Sequence, residues 1–436
     1  MLMRYVLDVT YSLLLFLLAP FLVYKALTTG KYRRGLLAKF LGNASLRPGN
    51  SKCCWFHGVS VGEIHLLRQV VARFRQCHPK CTCVISTTTD TGFEEARKAF
   101  PELAVFYWPL DFSWAVARAL DRVRPSLVVL AEGEIWPNFV IAAASRAIPV
   151  AVINARMSPR SRARYLRFSW LLAPVLSKIS LLCAQTAEYA AAFIDLGIDP
   201  KRIHVTGSVK YDGVAGDRNA PRTRELVELL GLNGDQTIWI AGSTQAPEEE
   251  IVLNIHRLLR QTHPLLRLVI VPRQRERFGE VGLLLERAEM PYVRRSELKS
   301  PLPSTDCVVL LDTIGELGAL WGAADIAFVG GSLDGRRGGQ NMIEPAAYGA
   351  AVIFGPHVWN FKETAARLEA ARAAIRVADA DELESTVYRL LENPEERHRL
   401  GDAAREFVRS QQGATEKTIS LLATFVGEHS SQGQAA

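Results

Sequence analysis

From Lys52 onward, short apolar runs alternate with stretches whose apolar residues recur every three or four positions, the pattern of β-strands feeding amphipathic helices. CCWFHGV leads into a helical stretch from about Glu63 to Cys77, TCVISTTT into Gly92 to Phe100, and AVFYWPL into Ser113 to Arg122. SLVVLAE leads into Pro137 to Ala147, and PVAVINA into a basic stretch ending near Lys178; SLLCAQT and a helix near Glu188 to Leu196 close the series. A second series starts at TIWIAGST and continues through LRLVIVP, PYVR, CVVLLDT, IAFVGGS and AVIFGP to C-terminal helices. Strand runs that are apolar throughout predict parallel sheets covered on both faces. The expected fold class is therefore α/β: two Rossmann-like doubly wound domains facing a cleft, plus an N-terminal hydrophobic anchor helix. Expected boundaries are 1–30 for the anchor, 31–209 for the first domain, 210–224 for a polar linker, and 225–436 for the second domain with its C-terminal helices.

Residues 11–24, YSLLLFLLAPFLVY, carry no charge, a length borderline for a span of about 20 residues. The stretch extends from Tyr5 to Leu27 only by accepting charge, Asp8 at its start, and Pro20 would kink a helix there. No small-residue cleavage pattern follows; Lys25, Lys31, Arg33, Arg34 and Lys39 do. The segment reads as an uncleaved anchor with its basic flank on the cytoplasmic side, against anionic head groups. A hydrophobic helix packed on the globular body is the alternative. Composition adds little beyond globularity, but charge is informative. Residues 1–50 hold seven basic residues against Asp8 alone, +6 of the net +7, so the basicity is local and a nucleic-acid partner is not expected. Seven cysteines without zinc-site spacing suggest a reducing compartment; Cys77, His78, Cys81 and Cys83 read as packed or surface residues rather than a metal site.

In open α/β sheets ligands bind beyond the carboxyl ends of the strands. Ser60, Gly62 and Glu63 follow the first strand, where Glu63 suits either a helix's first turn or a general base. Glu132 and Glu134 follow the fourth, as helix caps or cation ligands, and Arg156 follows the fifth. His57, His204 and His357 are further candidates for substrate contact. In the second half Gly242, Ser243 and Thr244 open a helix whose amides could hold a phosphate, although Glu248, Glu249 and Glu250 disfavour a polyphosphate. Gly330, Gly331, Gly338 and Gly339 permit close backbone approach, and Glu344 could accept hydrogen bonds from a ribose diol. Neither a P-loop nor a dinucleotide fingerprint is present.

Taken in order, RRGLLAKFLG, WFHGVSVGE, STTTDTGFEEA, YWPLDF, AEGEIWPN, INARMSPRS, VTGSVKYD, AGSTQAPEEE, VPRQRERF, GGQNMIEPAAYG and FGPHVWNF resemble the transferases of 3-deoxy-D-manno-octulosonic acid (Kdo) in lipopolysaccharide synthesis, over nearly the whole chain. The resemblance implies a GT-B fold and an inverting transfer from CMP-Kdo to lipid A precursor, without metal or cofactor, at the inner membrane. It implies that the first half binds the acceptor and the second mainly the donor. It assigns Glu63 as catalytic base, and Lys210, Ser243, Arg273, Gly331, Ser332, Gly339, Asn341 and Glu344 to the donor. Ser60, Gly62, Glu132, Glu134 and Arg156 become acceptor-side or supporting residues. Gln340 stands where the family often has His, and Gln274-Arg275 where a His-Pro pair is common. A similar fold with another nucleotide-sugar donor, an epimerase, and a non-catalytic membrane scaffold are the rival readings.

Overall fold

The computed structural model describes residues 2–29, 34–47, 49, 51–232, 234–303 and 307–427. Lys31, Arg33 and the C-terminal tail 429–436 thus lie outside the described residues. Fourteen strands among them form two parallel sheets of seven. The first holds β1 (Cys53–His57), β2 (Thr82–Thr87), β3 (Ala104–Tyr107), β4 (Leu127–Ala131), β5 (Val150–Ala155), β6 (Leu181–Ala184) and β7 (Ile203–Val205), in the order β3-β2-β1-β4-β5-β6-β7. The second holds β8 (Thr237–Thr244), β9 (Leu266–Pro272), β10 (Tyr292–Arg294), β11 (Val308–Leu310), β12 (Ile326–Val329), β13 (Ala351–Phe354) and β14 (Ala374–Arg376), in the order β10-β11-β9-β8-β12-β13-β14.

The uninterrupted apolar runs are buried because each sheet carries helices on both faces. Trp55 of β1 meets Phe106, Trp108 and Phe139 on one face, while Cys54 and Phe56 pack with Ile64 and Phe74 on the other. In both sheets the strand order turns at the centre, between β1 and β4 and between β8 and β12. Chain leaving neighbouring strands there diverges to opposite faces, which opens a crevice for polar residues.

The chain divides into two compact units, one reaching Gly213 and resuming at Gln412, the other Val214–Gln411. The expected second domain, 225–436, is corrected accordingly: the last helix, Ala414–Val426, belongs to the first unit. Its apolar stripe of Ala414, Ile419, Leu422 and Val426 is buried in one cluster with Ile64, Val71 and Phe74 of the Val61–Cys77 helix. Asp212 caps its start, accepting from the N–H groups of Gly413 (2.6 Å) and Thr415 (2.5 Å), and Lys52 Nζ binds the Val426 carbonyl at its end (2.5 Å). The expected linker 210–224 is also more structured than polarity suggests: Val209–Tyr211 is a 3-10 turn and Pro221 begins a helix reaching Leu229. None of the seven cysteines is in a disulfide, and burial pushes the Cys83 thiol up to about 12, the behaviour of a packing residue.

Leu422→Ala is expected to lower the stability of the first unit by about 2–5 kcal/mol, through lost burial plus a residual cavity. Chemical denaturation followed by tryptophan fluorescence checks this; an unchanged transition would mean that the last helix is not part of that core.

Candidate active site

Each unit gathers its polar residues at the centre of its sheet. In the first, the chain leaves β1 through Gly58, Val59 and Ser60 and enters the Val61–Cys77 helix, with Glu63 in its first turn. Glu63 is 9% exposed; it accepts from the Val59 N–H (2.8 Å) and the Ser60 hydroxyl (3.1 Å). The Thr87 and Thr89 hydroxyls donate to the Val59 carbonyl at 3.2 and 2.9 Å, so the STTTDTG string fixes the loop that holds Glu63. A Cβ on Gly62 would meet nothing nearer than Ser60 Oγ at 3.9 Å, which leaves that side of the first turn unobstructed. Burial, first, and the charge of Glu132 raise the Glu63 carboxyl to about 7, against the opposing bonds from Val59 and Ser60. At neutral pH such a carboxyl exchanges a proton readily, as a general base requires.

Glu132 follows β4 with φ of 62°, a left-handed conformation uncommon for a residue with a side chain. It caps no helix. Its Oε2 takes Nε and Nη2 of Arg156 at 2.9 and 2.7 Å, and its Oε1 takes Nζ of Lys210 at 3.2 Å. Asn154, also left-handed with φ of 53°, accepts from the Val209 N–H at 3.1 Å and so holds the turn that carries Lys210. Lys210 therefore sits in the first unit, beside Glu132. Glu134 is exposed beside them, and partial loss of solvation raises its carboxyl.

The three histidines part ways. His57 is 1% exposed, stacked on Trp108 at 4.0 Å and bonded through Nδ1 to Ser86; burial lowers it to about 3, so the ring is neutral and acts in packing. His204 is exposed on the edge strand β7. His357 packs against Gly335 of the glycine-rich loop in the second unit.

In that unit Ser243, next to last in β8, has φ of 56°, and Glu248 turns inward rather than out to solvent. Glu248 accepts four backbone N–H bonds, from Gln245 (3.0 Å), Gly331 (2.6 Å), Ser332 (2.8 Å) and Leu333 (3.1 Å). The amides of Gly331 and Ser332 are thus engaged within the chain. The Ser332 hydroxyl is engaged as well, donating to Val329 and accepting from the Gly355 N–H. Glu249 pairs with Arg277 at 3.0 Å, which leaves Glu250 as the exposed member of the acidic turn.

Across from this loop, Arg273 Nε donates to Gln340 Oε1 (3.1 Å), and Asn341 Nδ2 donates to Glu344 Oε1 (2.9 Å) while its Oδ1 accepts from the Ile343 N–H (3.1 Å). Burial raises the Glu344 carboxyl, opposed by Asn341 and by the Arg273 charge. Gly339 donates to the Gly331 carbonyl at 2.7 Å, and both have positive φ, so Gly339 holds Gln340 beside Gly331. Ser243, Arg273, Gly331, Ser332, Gly339, Asn341 and Glu344 thus cluster in one unit, while Glu63, Ser60, Gly62, Glu132, Glu134, Arg156 and Lys210 cluster in the other. Thr87, Thr89 and Asn154 were not singled out from the sequence, and Glu248 and Gln340 were noted there without the loop-bracing bonds they make. Only the TTT run and the QAPEEE turn offered a signal, and neither says which way its side chains point.

Two parallel sheets with polar centres, each in its own unit, define the GT-B class. Solved structures agree: the chain resembles UDP-GlcNAc 2-epimerase from Neisseria meningitidis with a TM-score of 0.58 at 14% identity, covering 86% of this chain and all of that one. A 2-epimerase homologue from Listeria monocytogenes gives 0.55 at 12% identity, covering 86% and 96%. At that identity the likeness is one of fold. The profile of the 3-deoxy-D-manno-octulosonic-acid transferase family matches residues 31–213. Over 424 residues the chain is 35% identical to the 3-deoxy-D-manno-octulosonic acid transferase of Haemophilus influenzae, covering 95% of this chain and 98% of the relative. It is 33% identical to that of Bordetella pertussis, covering 86% and 87%. The chain belongs to the Kdo transferase family, glycosyltransferases of lipopolysaccharide synthesis.

Two outcomes follow from this geometry. Glu132→Gln removes a negative charge that raises Glu63, so the acid limb of the pH–rate profile is expected to move to lower pH, by up to about one unit; an unmoved limb would separate the two carboxyls. Glu248→Ala strands four amide donors in a buried loop and is expected to lower the second unit's stability by at least about 3 kcal/mol, read as the shift of its unfolding transition.

Proposed function

We propose that the chain transfers Kdo from CMP-Kdo to a lipid A precursor with Glu63 as general base, at the cytoplasmic face of the inner membrane. The observation that carries this reading is Glu63 itself: a buried carboxyl raised to about 7, in an unobstructed helix turn at the centre of its sheet. Glu63 takes the proton of an acceptor sugar hydroxyl as that oxygen bonds to the anomeric carbon of Kdo. The bond from that carbon to the phosphate oxygen breaks, and CMP leaves with the electron pair, inverting the centre. Arg273 and Lys210 meet the phosphate and the sugar carboxylate, and Glu344, oriented by Asn341, accepts from the ribose hydroxyls. Ser243, Gly331, Ser332 and Gly339 shape the donor loop through their backbone. Arg156 and Glu132 hold Lys210 and the acceptor side in place. The exposed apolar helix Leu2–Thr29, long enough over Met3–Phe21 to cross a membrane, supports the membrane location.

The sign of the pH effect follows from the base. Below about 7 Glu63 is protonated and idle, so kcat/KM is expected to fall tenfold per unit of pH there. Glu63→Gln is expected to lose at least about 10²-fold in turnover while CMP binding is retained. Mass spectrometry of tetraacyl lipid A precursor incubated with CMP-Kdo reads the result as Kdo mass increments. A near-normal rate in Glu63→Gln would overturn the base assignment; competition by UDP in place of CMP would overturn the donor.

A further inference from the structure

The N-terminal helix is fastened to the first unit near its start, and the chain that follows it is fastened to the same unit. Asp8, 9% exposed, accepts from the Ser113 N–H (2.8 Å), the Ser113 hydroxyl (2.5 Å) and Asn138 Nδ2 (3.1 Å). One turn on, the Tyr11 hydroxyl donates to Asp111 at 3.1 Å, and Asp111 in turn accepts from the N–H groups of Asn138 and Phe139, both at 2.9 Å, at the start of the Pro137–Ser145 helix. Beyond the helix the chain is tied down again. Arg34 binds Glu94 at 2.7 Å, Lys39 Nζ lies 4.5 Å over the Tyr107 ring, and Phe40 packs on Phe112, the same ring that Tyr11 touches. From Thr29 to Arg34 the chain can reach about 17 Å at most.

A crossing helix would put its ends on opposite sides of about 30 Å of hydrocarbon. Here the chain before and after the apolar run answers to one folded unit, which sits on one side only. A span over Met3–Phe21 would also strip Asp8 of three hydrogen bonds and place its charge in lipid. Along the helix the partly buried positions Arg4, Leu7, Asp8, Tyr11 and Leu15 return every three or four residues and face the protein, while Phe16 (79% exposed), Leu17 (73%) and Leu27 (69%) face outward. Leu37 (74%) of the Leu36–Leu41 helix and Trp114 (43%) continue the outward apolar surface. Lys25 stands within this surface over Phe21, where an anionic head group would complement it.

The geometry points to a helix that lies in one leaflet of an anionic phospholipid membrane without crossing it, latched by Asp8. This rests on the membrane association proposed above and goes beyond it in fixing topology. In cells expressing the full chain with one epitope tag before Met1 and another after Ala436, protease is added to intact spheroplasts and to inverted inner-membrane vesicles. Both tags are expected to survive in spheroplasts and to be lost together from inverted vesicles. Loss of the first tag alone from spheroplasts would overturn the proposal by showing a crossing helix. Recovery of the whole protein in the soluble fraction would instead overturn membrane association, and the proposal with it. Asp8→Leu, checked for folding of the first unit by its unfolding transition, is expected to raise the loss of the first tag from spheroplasts several-fold; unchanged protection would overturn Asp8 as the latch.

Discussion

A carboxylate taken out of water must have its lone pairs filled, and in this chain backbone N–H groups do most of the filling. Glu248 gathers four amides of the second unit and thereby sets the path of Gly331 to Leu333. Asp111 gathers two at the start of one helix, Asp212 two at the start of another, and Glu63 one amide and one hydroxyl. Without these bonds the helices that leave the sheet centres would begin with unpaired donors, and the loops beside them would lose their shape.

The number of donors decides what each carboxyl does. Four amides tie Glu248 into the loop and leave it no free acceptor face for chemistry. Glu63, with two donors and a neighbouring Glu132 charge, is left near neutrality, able to take a proton and give it back. Glu132 is satisfied by side chains instead, Arg156 and Lys210, so its charge persists beside Glu63 and is felt there. One residue type thus serves as a loop brace, as a carboxyl poised near neutrality and as its electrostatic neighbour. Local geometry rather than identity separates the roles.

Asp8 extends the same device to the N-terminal helix. Read along the chain, an acid inside an apolar run is a defect in an anchor. Folded, it is the point at which the N-terminal helix grips the body, because Ser113 and Asn138 present donors at two helix starts. The N-terminal helix and the first unit's core are thereby mechanically continuous.

The alternation of strand and helix was legible because parallel strands buried on both faces must be apolar throughout, and their flanking helices must be amphipathic. Hence runs such as CCWFHGV and SLVVLAE marked β1 and β4 closely, and Glu63 and Glu132 fell at strand ends by position alone. The ordered strings also carried the family. Which unit receives the last helix, where Lys210 stands and where Glu248 points were not legible, since each depends on contacts between residues far apart in sequence: Asp212 with Gly413, Lys210 with Glu132, Glu248 with Gly331. The sequence by itself determined the layers, the sheet class and the positions at which chemistry could sit, because burial and periodicity are local demands. Only the tertiary structure decided which carboxyl is braced, which is poised and which anchors the helix, because a buried charge takes its role from the donors that folding brings to it.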